Sequence, residues 1–164
     1  MSAVRRGMAA TAIAWAAAAA PVRGQAPAPV GGESAAAMAV VTRLFDAMRA
    51  GDTAAVRATF APGTALQSAL VGRDGVPVVR ATAIDDFVKS IGARPAGTVL
   101  DERLRNPVVH VDGPLAQVWV EYGFFVSGTF SHCGVDAFTL AKGSAGWRII
   151  AIADTRQREG CTGW

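Results

Sequence analysis

The sequence predicts an α+β fold, and three observations carry the prediction. Apolar residues recur at helical spacing between Ser34 and Ile91, they recur at every second position after Pro107, and short turns separate the later segments. Helices followed by a meander of long strands imply N-terminal helices packed on a strongly curved antiparallel sheet, because a half-apolar sheet needs a cover on one face. At 164 residues the chain is long enough for one domain with a sizeable core. It is too short for separate cofactor and substrate domains.

Each element has its own signal. Ser34 to Ala50 places Met38, Val41, Leu44, Phe45 and Met48 on one helix face, and Gly51 supplies the stop. Asp52 caps a second, short helix running to Phe60, which Ala61-Pro62-Gly63 ends. Ala65–Val71 and Val78–Ala81 read as short strands about the turn at Gly72 to Gly75. Thr82-Ala83-Ile84-Asp85 is a variant capping box that opens a third helix, with Ile84, Phe87, Val88 and Ile91 as its inner stripe and Gly92 at its end. Four strands follow, at Pro107–Val111, Leu115–Val126, Thr129–Lys142 and Trp147–Arg156, with a two-residue turn at Ser127-Gly128.

The first 26 residues read as a secretory signal. Arg5 and Arg6 precede an apolar run of 13, Met8 to Ala20, and small residues follow at Val22, Gly24 and Ala26. That run is shorter than the roughly 20 residues a bilayer span needs. A buried amphipathic helix does not fit either, since Ala16 to Ala20 has no polar face. Residues 27–34 then form a flexible tether and 35–164 the domain. The protein is therefore expected to be periplasmic or secreted, with no membrane span after signal removal. The formal charge of +3 comes from the same segment: it holds three of the sixteen Lys and Arg and none of the thirteen acidic residues. Without it the chain is neutral, which removes the case for a nucleic-acid partner.

The stretches VTRLFDAMRAGDTAAVRATF (Val41 to Phe60), FSHCGVDAFTLAK (Phe130 to Lys142) and GWRIIAIADTRQREGC (Gly146 to Cys161) resemble the nuclear transport factor 2-like superfamily. The likeness covers about residues 35–160 and lies nearest to bacterial members related to polyketide cyclases and kinase-association domains. It implies a cone: a bent sheet wrapped around helices, with a cavity at the open end. Members of that superfamily include isomerases, dehydratases, hydrolases and non-catalytic modules, so the fold by itself sets no function. The Asp-Arg-Asp set of its epoxide hydrolases has no matching spacing in this sequence.

Strand parity supplies candidate residues without the family. If Val126 faces Thr129 across the two-residue turn and the register runs on unbroken, one face carries Trp119, Glu121, Phe125, Phe130, His132, Asp136 and Phe138. Three ionisable groups among large aromatics suit a pocket, with Gly123 and Gly134 leaving space. The expected ligand contacts are Trp119, Glu121, Phe125, Phe130, Phe138 and Asp154, and His132 and Asp136 are the candidates for general acid–base work. The same three groups could instead satisfy one another and pin the sheet. The opposite face, with Val118, Val120, Tyr122 and Phe124, is the candidate for pairing across a homodimer. Asp154 reaches the pocket face if the loop after Lys142 places Ala141 opposite Trp147, and a one-residue slip sends it to the other side.

Cys133 and Cys161 are the only cysteines, and export makes a disulfide reasonable. A straight strand would leave them roughly 15–20 Å apart. A bridge thus requires the tail to turn back, as Gly160 permits, and two unpaired thiols are the alternative. Two histidines and two cysteines without close spacing make no zinc motif, and the glycines lie at turns instead of in a phosphate-binding loop, so no metal and no cofactor is implied. His110 in Val-Val-His-Val reads as an ordinary strand residue. The function expected is an exported domain that binds a small apolar or amphipathic molecule. The alternatives are an isomerase-, dehydratase- or hydrolase-type enzyme using His132 and Asp136, and a structural or dimerising domain.

Overall fold

The computed structural model describes residues 31–164; the expected signal, and the tether up to residue 30, lie outside the described residues. Two helices come first, α1 (Glu33–Ala50) and α2 (Thr53–Ala58). Glu33 and Ser34, expected in the tether, form the first turn of α1. Gly51 closes that helix in the left-handed conformation, its N–H reaching back to the last turn, and the Asp52 carboxylate accepts the Ala55 N–H at 2.9 Å to cap α2. Strands β1 (Phe60–Val71) and β2 (Pro77–Ala83) form a hairpin, followed by α3 (Ile84–Gly92). Four long strands complete the chain: β3 (Leu100–Asp112), β4 (Leu115–Val126), β5 (Thr129–Gly143) and β6 (Gly146–Thr155).

Three boundaries differ from expectation. Phe60 starts β1 instead of ending α2, because it pairs with Ile149. Thr82 is a strand residue opposite Leu66, and Ala83, which has no capping side chain, precedes α3; the variant capping box does not form. β3 begins seven residues before Pro107, through Leu100–Asn106, where Asp101, Glu102, Arg103 and Arg105 hide the strand signal. Charges of that kind are tolerated on an edge strand, and β3 is one.

The six strands form one sheet in the order β2-β1-β6-β5-β4-β3. The pairings are antiparallel except that β1 runs parallel to β6, so the curved sheet is mixed instead of wholly antiparallel. Along its concave face α1 buries Val41, Leu44, Phe45 and Met48 against Val118, Val120, Phe138, Leu140, Ile149 and Ile152. Phe45 meets Phe138 edge-on with ring centroids 6.0 Å apart. Val88 and Ile91 of α3 are buried and Ile84 and Phe87 pack partly against the same core, as the stripe predicts. Among the described residues no helix is long and apolar enough to cross a membrane.

The tail does turn back. Cys133 and Cys161 form a disulfide with Cα atoms 5.8 Å apart, after Gln157 has paired with Cys133. The last residues then cross the outer face of the sheet, where a Cβ at Gly123 would lie 2.4 Å from the Trp164 ring. Arg105 stacks over that ring at 4.0 Å, donates to the Thr162 carbonyl at 3.1 Å and pairs with Glu121 at 2.7 Å.

Candidate functional site

Two bulges decide which side chains face inward. The Ser127-Gly128 turn pairs Val126 with Thr129, with both turn residues at positive φ as a tight hairpin requires. Between Phe125–Phe130 and Phe124–His132, however, Ser131 is inserted as an extra residue. The bulge shifts every pairing beyond it by one, giving Tyr122 opposite Gly134, Val120 opposite Asp136 and Val118 opposite Phe138. On β6, an extra Ile150 follows a two-residue loop and places Asp154 opposite Asp136, a register that neither expected loop length produces. The outcome is an inward row that runs Val120, Asp136, Asp154 and Ser68 across β4, β5, β6 and β1.

A cavity of about 310 Å³ opens on this concave face beside the core, walled by the sheet and by α1 and α3. His132, Asp136, Phe138 and Asp154 line it, as expected. Trp119, Glu121, Phe125 and Phe130 do not. Trp119 is 55% exposed; Phe125 is buried under the Arg103 guanidinium at 3.9 Å and against Phe130; Glu121 belongs to the Arg105 clamp. All four stand on the outer face, because the Ser131 bulge pairs their side of β4 with Cys133, Val135 and Ala137 instead of His132, Asp136 and Phe138. For the same reason Val118, Val120 and Tyr122, expected to pair across a dimer, are buried inside the cone. Gly123 and Gly134 leave no open space either. Trp164 fills the first, and at Gly134 a Cβ would lie 1.9 Å from the Thr155 carbonyl oxygen, whose other approach is taken by the Tyr122 hydroxyl at 2.8 Å.

Sequence reasoning missed Glu102, Tyr122, Phe124 and Arg156 as cavity residues. One signal was available for Glu102, since Leu100, Glu102 and Leu104 alternate as an inward face would. Tyr122 and Phe124 could be recovered by matching the apolar series Ala116-Val118-Val120 to Phe138 and Leu140, which requires the shifted register.

The cavity is apolar at its sides and ionisable at one end. Phe87, Phe124, Phe138 and Tyr122 supply rings, with Phe124 and His132 centroids 5.0 Å apart. Asp154, 6% exposed, is fully engaged: Ser68 Oγ donates to one oxygen and Arg156 Nε to the other at 2.6 Å. Asp136, 4% exposed, is not, because its Oδ2 is buried with no donor in reach. Glu102 lines the same cavity, and a proton on either carboxyl is felt by the other. Burial drives that proton on: it pushes Asp136 up to about 7, with Asp154 adding repulsion, and it raises Glu102 well above the usual carboxylate range with help from Asp136's charge. Burial and the nearby Arg156 charge lower His132, so its ring is neutral at neutral pH, with Nδ1 3.0 Å from Ser131 Oγ. Burial also raises the Tyr122 phenol, which stays protonated. Such a set can accept a donor at Asp136, donate from Arg156 and exchange a proton between Glu102 and Asp136. No group of three His, Cys, Asp or Glu among the described residues is placed to hold a metal ion.

Comparison with known proteins gives a family and a fold. Residues 32–153 match the family described as "putative lumazine-binding". A nuclear transport factor 2-like protein with a cystatin-like fold from Novosphingobium aromaticivorans superposes with a TM-score of 0.59 at 18% identity, over 79% of this chain and 84% of that one. One from Cytophaga hutchinsonii gives 0.59 at 10% identity over 73% and 94%, and one of unknown function from Silicibacter pomeroyi gives 0.54 at 23% identity over 75% and 94%. No curated protein matches. The expected cone is therefore the fold of this chain, while nothing in these likenesses singles out the polyketide-cyclase-related branch.

Proposed function

The chain belongs to this lumazine-binding-like family, and from that premise we propose that it is an exported binding protein whose concave cavity takes up a small, flat molecule. The observation that carries the reading is Asp136, which lines a ring-walled hollow and whose Oδ2 is buried without a donor. A native fold rarely leaves such a group unsatisfied unless something else supplies the partner. Phe87, Phe124, Tyr122 and Phe138 would hold the ring by stacking and edge contacts. Arg156, His132 and the Glu102–Asp136 pair would orient its polar edge. A hollow of about 310 Å³ is at the lower end of small-molecule sites and suits one or two fused rings.

Export is supported by the charged and apolar N-terminal pattern together with the Cys133–Cys161 disulfide, which forms in oxidising compartments. Native mass spectrometry of protein taken from its own periplasm tests both halves of the reading. The expected result is a chain shortened by its first 26 or so residues, lighter by two protons for the disulfide, and carrying a retained small molecule. For added ligand, lumazine is the probe. Its binding should saturate and should weaken about ten-fold when Ser90→Trp plugs the mouth. A cavity that neither retains a molecule nor binds lumazine in a plug-sensitive way overturns the binding reading, and a full-length cytoplasmic chain overturns export.

A further inference from the structure

The wall of the cavity carries an excess of acid. Asp86 comes from α3, Glu102 from β3, Asp136 from β5 and Asp154 from β6, against a single cation, Arg156. Arg156 is already committed to Asp154 at 2.6 Å. The other titratable groups facing the pair, Tyr122 from β4 and His132 from β5, are neutral near pH 7, and the lining residues of α1, β1 and β2 carry no charge. Glu102 and Asp136 therefore line the cavity with Arg156, already engaged by Asp154, as the one cation acting on them.

We propose that this cavity prefers flat monocations, aromatic amidines and protonated 2-amino-N-heterocycles, over neutral molecules of the same shape, their N–H donors docking on the Glu102–Asp136 carboxyl pair. The inference rests on the reading of the cavity as a binding site and names its ligand class. An amidinium edge offers two parallel N–H donors to two carboxyl groups and supplies the partner that Asp136 Oδ2 lacks. Its flat face suits the rings of Phe87, Phe124 and Tyr122, which attract a cation as well as an apolar surface. Entry also settles the charge balance: the cation displaces the protons the pair holds, these leave to the solvent, and both carboxyls become carboxylates.

The test is calorimetry of the full mature protein with three matched probes, the benzamidinium cation, neutral benzamide and anionic benzoate. Titrations in two buffers of different ionisation enthalpy count the protons released. The expected order is benzamidinium tightest, benzamide about ten-fold weaker and benzoate weakest. At about pH 6 benzamidinium binding should release protons, and the release should fall as pH rises through about 7. Asp136→Asn should remove both the release and the preference, and Glu102→Gln, which keeps a neutral donor for Asp136, should reduce them in parallel. Benzamide or benzoate binding as tightly as benzamidinium, or benzamidinium binding without proton release, overturns the ligand class while leaving the binding site intact. If none of the three binds and lumazine also fails, the binding reading itself has failed and takes this inference with it.

Discussion

On the concave side of β4 and β5, Asp136 is buried with one oxygen lacking a donor, whereas on the outer side Glu121 is half-exposed and held by Arg105 at 2.7 Å. Both carboxylates sit among aromatic rings on the same hairpin. Outside, each charge has found a partner within the fold, and the cation–π and backbone contacts of Arg105 tie down the tail. Inside, the partner is missing and burial forces a proton onto the pair. Composition alone therefore does not mark a site; an unmet electrostatic demand does.

The largest expected break in this contrast is at the two glycines. Gly134→Val drives a side chain into the Thr155 backbone and should cost about 4 kcal/mol or prevent folding, measured by denaturant titration. Gly123→Ala meets only the Trp164 side chain of the tail, which can move, and should cost about 1 kcal/mol. Next come the aromatics. Phe138→Ala should cost about 3–5 kcal/mol and abolish lumazine binding, since Phe138 is 2% exposed and packs on Phe45. Trp119→Ala should change stability by no more than about 0.5 kcal/mol and leave binding intact.

The sharpest effect is in the pH dependence. Burial raises Asp136, so the folded state binds its proton more tightly than the unfolded chain does. Its contribution to stability is fully present below the ordinary carboxylate range and is lost as pH rises from about 4 to about 7, by about 4 kcal/mol in total. Asp136→Asn should flatten that fall. Glu121 has the opposite sign: hydrogen bonds from Arg105 and Asn106 lower it, so its contribution is present above the ordinary carboxylate range and lost as pH falls through its folded pKa. Glu121→Gln should remove only that acid limb, and salt should screen it in the wild type.

The elements were legible because each repeats its signal over several residues. The stripe of α1, the Gly51 stop, the Asp52 cap and the Ser127-Gly128 turn all stand where local chemistry puts them. The parallel pairing of β1 with β6 has no local signal, because it depends on which edge the first hairpin reaches after the core has formed. In the site, His132, Asp136, Phe138 and Asp154 were found, and four neighbours were assigned to the wrong face. A bulge is one residue long and leaves no periodic trace, yet it inverts every side chain beyond it. Ser131 and Ile150 are two such residues, and Ile150 explains how Asp154 reached the cavity by a register that loop length did not predict.

The most direct test of the contrast is a carboxyl-carbon NMR titration of Asp136, Glu102 and Glu121 in the ligand-free protein. Asp136 should titrate at about 7 and Glu102 well above the ordinary glutamate range, while Glu121 titrates below it. Asp136 titrating with the surface carboxylates, with no response to Glu102→Gln, would contradict the acid pair on which the ligand class depends.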